Sequence, residues 1–310
     1  MPLESVDGIL LLDKPQGMTS NAALQAAKRL FGARKAGHTG TLDPMASGLL
    51  PICFGEATKF AGALLDAYKT YAAELWLGVT TTTGDREGEV VERRLVAVAE
   101  DRLREVMGSF VGAYDQIPPA HSALKHRGRP LYEYARAGLE APRVSRRVEI
   151  SELEFHGMTG DRVRFTVTCG KGTYIRSLAE DIGSRLDCGA HLSALRRLAS
   201  GAFRLSDAVT LEEAAEASME WRRGRLLSAE APLAGLPELF VAPEETDRVR
   251  QGQRLMAAPG TPAGLVRLYA SRRQFIGLGE VTRDGFVLPR RLVAEAALRP
   301  DAVAATDGQD

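Results

Sequence analysis

Apolar residues in this chain fall mainly in short runs or in alternation with polar ones, and helical spacing is confined to a few segments between them. The run GILLLDKP (Gly8–Pro15) ends in a Lys-Pro turn and predicts a buried strand. NAALQAAKRLF has helical spacing, with Thr19 or Ser20 as N-cap and Gly32 placed to end it. GLLPICFG predicts a second buried strand, and EATKFAGALLDAY a helix. In KTYAAELWLGV, Tyr71, Ala73, Leu75, Leu77 and Val79 share one face. In RVRFTVTCG, Val163, Phe165, Val167 and Cys169 do the same. TTTTGDREGEV is turn chemistry leading into a strand, EVVERRLV, and VEISELEF predicts another strand. Helices are predicted over residues 98–110, Leu131–Arg136, GTYIRSLAEDIGSRL and 210–228, whereas LSALRRL reads only as a further apolar segment.

These elements imply an α+β fold: a mixed, largely antiparallel sheet with flanking helices and an inserted basic loop. Regular βαβ alternation, the mark of a doubly wound fold, is missing. The pattern changes near Leu239, after which short strands are split by Gly and Pro. The expected division is a main domain over residues 1–239, a small β-rich domain over 240–295 and a partly disordered tail over 296–310.

Composition adds exclusions. No apolar run is long enough for a membrane helix, and the N-terminus has acids where a signal peptide needs basic residues, so the cytoplasm is expected. Cys53, Cys169 and Cys188 show no ligand or disulfide spacing and read as buried hydrophobes. Forty Lys+Arg balance forty Asp+Glu. The neutrality hides local clusters. Residues 248–291 hold nine arginines against Glu280 and Asp284, and residues 121–150 hold seven Lys/Arg against three glutamates. Such surfaces are compatible with a polyanionic partner. No phosphate loop, dinucleotide fingerprint, GxSxG elbow or HExxH motif occurs.

Carboxylate chemistry, or none, is left. Asp43 lies between Leu42 and Pro44 in GHTGTLDPMASGLLP, and a residue before proline is held extended. Alone, such an aspartate most often makes a turn or a cap. His38, five residues earlier, is open to several roles. CGKGTYIRS (Cys169–Ser177) supplies Tyr174 and Arg176, and an arginine beside Asp43 would lower its pKa. Tyr71 opens a strand, a common place for a core aromatic.

Taken together, GHTGTLDPMASGLLPICFGEATKF, KTYAAELWLG, SALKHRGRPLYEYARAG, CGKGTYIRSLAEDIG and CGAHLSALRRL resemble, in order, the motifs of the bacterial tRNA pseudouridine synthase B (TruB) family. The resemblance spans about Gly8 to Val209, and the C-terminal region resembles that family's PUA-like RNA-binding domain. It implies isomerisation of a T-loop uridine in tRNA by base flipping, with no cofactor and no metal. Asp43 would be the catalytic aspartate, Arg176 its partner and Tyr71 a stacking and proton-transfer group. Tyr174 and Leu195 would line the nucleoside pocket, and His38 would fill the space left by the flipped base. Lys59 and Asp85 match positions near the pocket. Residues 122–146 would form a mobile RNA-binding loop. Implied partners are the tRNA T-arm alone, without guide RNA or membrane, and the chain is expected to be a monomer. One departure is Thr81-Thr82-Thr83, where the family often carries an acid between two threonines. Two other readings stand beside this one: a tRNA folding chaperone, which can coexist with it, and a guide-RNA-dependent relative.

Overall fold

The computed structural model describes residues 6–294, so the tail expected over residues 296–310 lies outside the described residues. Nine strands form one mixed sheet. They are β1 (Gly8–Lys14), β2 (Ala36–His38), β3 (Ser47–Phe54), β4 (Lys69–Leu77), β5 (Gly112–Gln116), β6 (Arg146–Thr159), β7 (Arg162–Cys169), β8 (Ala190–Ser200) and β9 (Phe203–Arg204). The order is β1-β3-β8-β4-β7-β6-β5, with β2 also on β3 and β9 on β8. Only β3 and β8 run parallel, meeting at Ser47–Arg196 and Gly48–Arg197.

Helices cover the faces that the alternation leaves apolar. Helices α1 (Ser20–Leu30), α2 (Glu100–Gly108) and α3 (Ile175–Arg185) are the longest in the main unit. Leu75, Phe165 and Val167 pack with Leu103 of α2 and with Leu178 and Ile182 of α3. Ala23, Leu24 and Ala27 of α1 pack on Leu10, Leu50 and Ile52. Full burial of each large apolar side chain stabilises the fold by about 1.5–3 kcal/mol. Thr19, not Ser20, caps α1, accepting from the Ala22 amide at 3.1 Å. Ser20 is thereby released for a bond to the loop that carries Asp43.

Some segments depart from the pattern. EATKFAGALLDAY divides into a 3-10 turn, Gly55–Lys59, and a short helix, Ala61–Asp66. Residues 210–228 form two short helices, Leu211–Glu216 and Met219–Gly224, because Ser218 caps a fresh start. LSALRRL lies within β8, at the centre of the sheet. The second sheet holds Glu238–Phe240, Gly264–Ala270, Gln274–Val281, Phe286–Leu292 and Leu255–Met256, in that order. A helix, Pro243–Arg250, accompanies it. The pattern gives no sign of that helix, whose segment is polar apart from Val249, its one buried residue. All three cysteines are buried and free. No helix among the described residues is long and apolar enough to cross a membrane.

The parallel junction of β3 and β8 depends on Gly48. Its φ is 101°, and a Cβ there would stand 2.4 Å from the Arg197 carbonyl oxygen. Gly48→Ala should therefore destabilise the protein by about 2–5 kcal/mol, combining left-handed strain with overpacking. Urea denaturation checks this, and an unchanged midpoint would show that the junction relaxes freely.

Candidate active site

The loop between β2 and β3 is bonded on every side before its chemistry begins. The Ser20 hydroxyl donates to the Leu42 carbonyl at 2.9 Å and accepts from the Leu42 amide at 2.7 Å. Gln16 Nε2 donates to the Met45 carbonyl and the Gly17 amide to the Pro44 carbonyl, both at 2.7 Å. Arg197 Nη2 donates to the Gly40 carbonyl at 3.1 Å. With the backbone held from Gly40 to Met45, the Asp43 side chain is aimed into a cavity of about 320 Å3. Tyr71, Tyr174, Arg176, Leu195 and Arg197 line the same cavity, and Asp43 is its one carboxylate. A more open cavity of about 670 Å3 joins it at Asp43 and extends to His38, Asp85, Tyr132 and Arg136.

Arg176, in the first turn of α3, is 4 % exposed. Its Nε lies 3.0 Å from Asp43 Oδ2, and its Nη2 donates to Asp43 Oδ1 at 3.3 Å. Asp85 Oδ2 stands 3.7 Å from the same Nε. The remaining donors reach the carbonyls of Thr83 at 3.2 Å and His121 at 2.9 Å. Asp85 is itself fixed by its turn: the Thr83 hydroxyl donates to its Oδ1 at 2.6 Å and the Glu87 amide to the same atom at 3.0 Å. The Thr81 hydroxyl donates to the Asp85 carbonyl at 2.6 Å. Thr81 and Thr83 of the Thr81-Thr82-Thr83 segment therefore brace the acid that follows them.

Arg176 lowers the pKa of Asp43 as expected, but other effects outweigh it. Burial pushes the carboxyl up, Arg176 pulls it down and Asp85 pushes it up again, so the net direction is upward. The ion pair is present, but desolvation and a second acid outweigh it. The side chain is still 35 % exposed toward the cavity, so it remains accessible to a ligand. Burial raises the Tyr71 and Tyr174 phenols and keeps them protonated at neutral pH. Burial lowers His38, and the Arg197 charge adds to this, so its ring is neutral at pH 7.

Tyr71, Tyr174, Arg176, Leu195 and Asp43 thus meet in one cavity, while His38 and Asp85 flank the adjoining one. Lys59 does not join them. It closes the 3-10 turn, and its Nζ donates to Glu56 Oε2 at 2.6 Å and to the Leu292 carbonyl of the second sheet at 2.9 Å. Three residues apart in a 3-10 turn, Lys59 and Glu56 stack on the side facing that sheet rather than the cavity.

Several residues escaped the motif reading. Gln116 holds Tyr174 from both sides, accepting from its amide at 2.8 Å and donating to its carbonyl at 3.1 Å. Lys69 lines the cavity but gives its Nζ to the carbonyls of Leu64, Leu65 and Ala67 at 2.7–2.9 Å. Burial lowers its pKa to about 8. Arg197 is 1 % exposed. A sequence signal existed for it: in LSALRRL it shares parity with Leu195 and therefore its face. Nothing local marks Gln116. Among the described residues no His, Cys, Asp and Glu group could hold a metal ion.

Comparison with known proteins supplies the remaining context. Residues 28–175 match the TruB family pseudouridylate synthase N-terminal domain. Residues 176–235 match the tRNA pseudouridylate synthase B C-terminal domain, and residues 237–293 the pseudouridine synthase II TruB C-terminal region. The tRNA pseudouridine synthase B of Dechloromonas aromatica (strain RCB) is 53% identical over 290 residues, covering 94% of this chain and 96% of that relative. The protein of the same name from Azoarcus sp. (strain BH72) is 53% identical over 296 residues, covering 95% and 97%. Among solved structures, an H/ACA RNP bound to a substrate RNA containing 2'-deoxyuridine superposes with a TM-score of 0.72 at 27% identity, covering 96% of this chain and 88% of that one. A Cbf5-Nop10-Gar1 complex gives a TM-score of 0.69 at 30% identity, covering 91% and 81%.

The electrostatics of Asp43 can be tested through stability. Its carboxyl titrates higher in the fold than in the unfolded chain. It therefore contributes stability that is full below pH 3.8, the ordinary aspartate value, and is lost as pH rises through the folded value. Asp43→Asn has no such loss. Thermal melts from below pH 3.8 to neutrality should show the wild-type protein falling relative to the variant. A difference independent of pH would mean that the carboxyl is unperturbed.

Proposed function

The chain belongs to the TruB family of pseudouridylate synthases, and from that premise we propose that Asp43 carries out the isomerisation of the T-loop uridine of tRNA, uridine 55. The protein is a tRNA pseudouridine synthase, an isomerase. The observation that supports Asp43 as the reacting group is that it is the one carboxylate lining the inner cavity, held there by a buried arginine. Hydrolysis of a glycosidic bond would call for two carboxyl groups flanking it. Isomerisation needs one.

Ionised Asp43 either bonds to the ribose C1′ or takes a proton from C2′. In both routes the N1–C1′ bond breaks and its electron pair leaves on N1 of the uracil. The base turns within the cavity and C5 bonds to C1′, expelling the Asp43 carboxylate in the first route or, in the second, as Asp43 returns its proton to C2′. The proton at C5 is then lost and N1 gains one. No oxidant or reductant enters, and the product has the atoms of the substrate. Tyr71 stacks on the base, and its hydroxyl, uncharged at neutral pH, passes its own proton on as it takes the one from C5. Tyr174 and Leu195 enclose the nucleoside and exclude water, which keeps the detached base from escaping. His38, neutral and on the wall of the outer cavity, occupies the place that the flipped base leaves, offsetting the few kcal/mol lost on unstacking.

Residues 1–239 act as the catalytic unit and residues 240–295 as an RNA-contacting one, with residues 122–146 closing over the T-arm. Arg136 and Tyr132, from the short helix Leu131–Arg136 in that loop, border the outer cavity, where a phosphate would meet Arg136. The protein acts in the cytoplasm as a monomer, on tRNA, without a guide RNA.

Asp43→Asn should lower single-turnover pseudouridine formation on a tRNA transcript by on the order of 10³-fold or more, with tRNA binding kept. Conversion at a normal rate would refute the role of Asp43. Activity of the purified wild-type chain on an isolated T-arm hairpin tests independence from a guide. A variant that converts nothing but still refolds misfolded tRNA would add the chaperone reading to the enzymatic one.

Arg136→Ala should weaken tRNA binding and reduce the salt slope of log K by about one, while the rate at saturation is unchanged. Titrations at several salt concentrations check this. An unaltered slope would place the phosphate contact elsewhere.

A further inference from the structure

Arg197 carries a charge that no carboxylate within ion-pair distance neutralises among the described residues, although it is almost wholly buried beside the cavity. Burying a cation in this way is costly unless its donors are satisfied. Here the acceptors come from a strand and a loop. Nε donates to the Leu49 carbonyl of β3 at 2.6 Å, and Nη2 to the Gly40 carbonyl at 3.1 Å, three residues before Asp43. The Tyr71 phenol on β4 lines the same cavity, and the Arg197 charge offsets part of the rise that burial gives it. The Arg197 backbone is the register partner of Gly48 on one side and of Tyr71 on the other.

One planar group therefore ties the strand that follows Asp43 to the loop that precedes it, beside the phenol of its register partner Tyr71. Asp43 already has its own cation in Arg176, so Arg197 is not needed to hold that carboxylate. A lysine could not replace it fully, because a single ammonium cannot present a rigid fork to separated acceptors.

We propose that Arg197 is a positioning residue of the isomerisation: it fixes the Asp43 loop against Tyr71 and aims the Tyr71 hydroxyl at the base. The inference rests on the roles given above to Asp43 and Tyr71.

Single-turnover conversion of a tRNA transcript at saturating enzyme separates competence, read from the amplitude, from positioning, read from the rate. Arg197→Met should keep full amplitude and tRNA affinity while its rate falls about 100-fold, the cost of a small misplacement of reacting groups. Arg197→Lys should recover part of that rate. The double variant Tyr71→Phe/Arg197→Met should be no slower than the slower single variant, because both changes disable one unit. A wild-type rate in Arg197→Met, or reduced amplitude at an unchanged rate, would overturn the proposal. Additive losses in the double variant would also overturn it. If the methionine variant does not fold, the lysine variant decides: a slow rate at full amplitude supports positioning, and a wild-type rate refutes it. Failure of the underlying reading is seen separately, as normal conversion by Asp43→Asn.

Discussion

The buried guanidinium of Arg176 is the constraint around which the site is assembled. A cation 4 % exposed must be neutralised and hydrogen-bonded, or the fold loses several kcal/mol. Its partners are Asp43, Asp85 and the carbonyls of Thr83 and His121. These come from three separate segments, the loop before β3, the turn after Val79–Thr81 and the stretch after β5, and meet on α3. Each must be in place before Arg176 is satisfied. The same requirement places two acids near one another, and their repulsion helps to raise Asp43.

The sheet supplies the rigidity this arrangement needs. β8 lies between β3 and β4, so the strand after Asp43 and the strand of Tyr71 are both held to one central partner. The β8 side chains Leu195 and Arg197 then reach the cavity from its floor. Reacting groups on pinned loops and strands lose little freedom when a nucleoside enters, which is how preorganisation lowers a barrier.

The strand that leaves the site also orients the second sheet. β3 runs directly into the turn Gly55–Lys59, where Lys59 donates to the Leu292 carbonyl and Glu56 accepts from the Ala294 amide at 2.5 Å. Phe60 meets Phe275 edge-on with ring centroids 5.4 Å apart. The residue that the motif placed near the pocket thus links the two units, so that a surface on the second one has a defined direction from Asp43.

Local sequence determined the elements and most of the candidate chemistry. Alternation in KTYAAELWL and RVRFTVTC fixed which side chains of β4 and β7 face the core, because successive residues of a strand point to opposite faces. The segment Leu131–Arg136 and the glycine after α1 were legible for the same local reason. The ordered motifs singled out Asp43, Tyr71, Tyr174, Arg176 and Leu195, which the fold brings to one cavity. Tertiary structure alone decided the rest. The place of β8 follows from pairings with strands far away in the chain, and the helix Pro243–Arg250 from burial of one valine. Lys59 turned from the pocket, Arg197 entered it, Gln116 braced Tyr174 on its wall, and Asp43 titrates upward despite its arginine. Each of these depends on which groups share a desolvated space, and that is a property of the folded neighbourhood rather than of the residues along the chain.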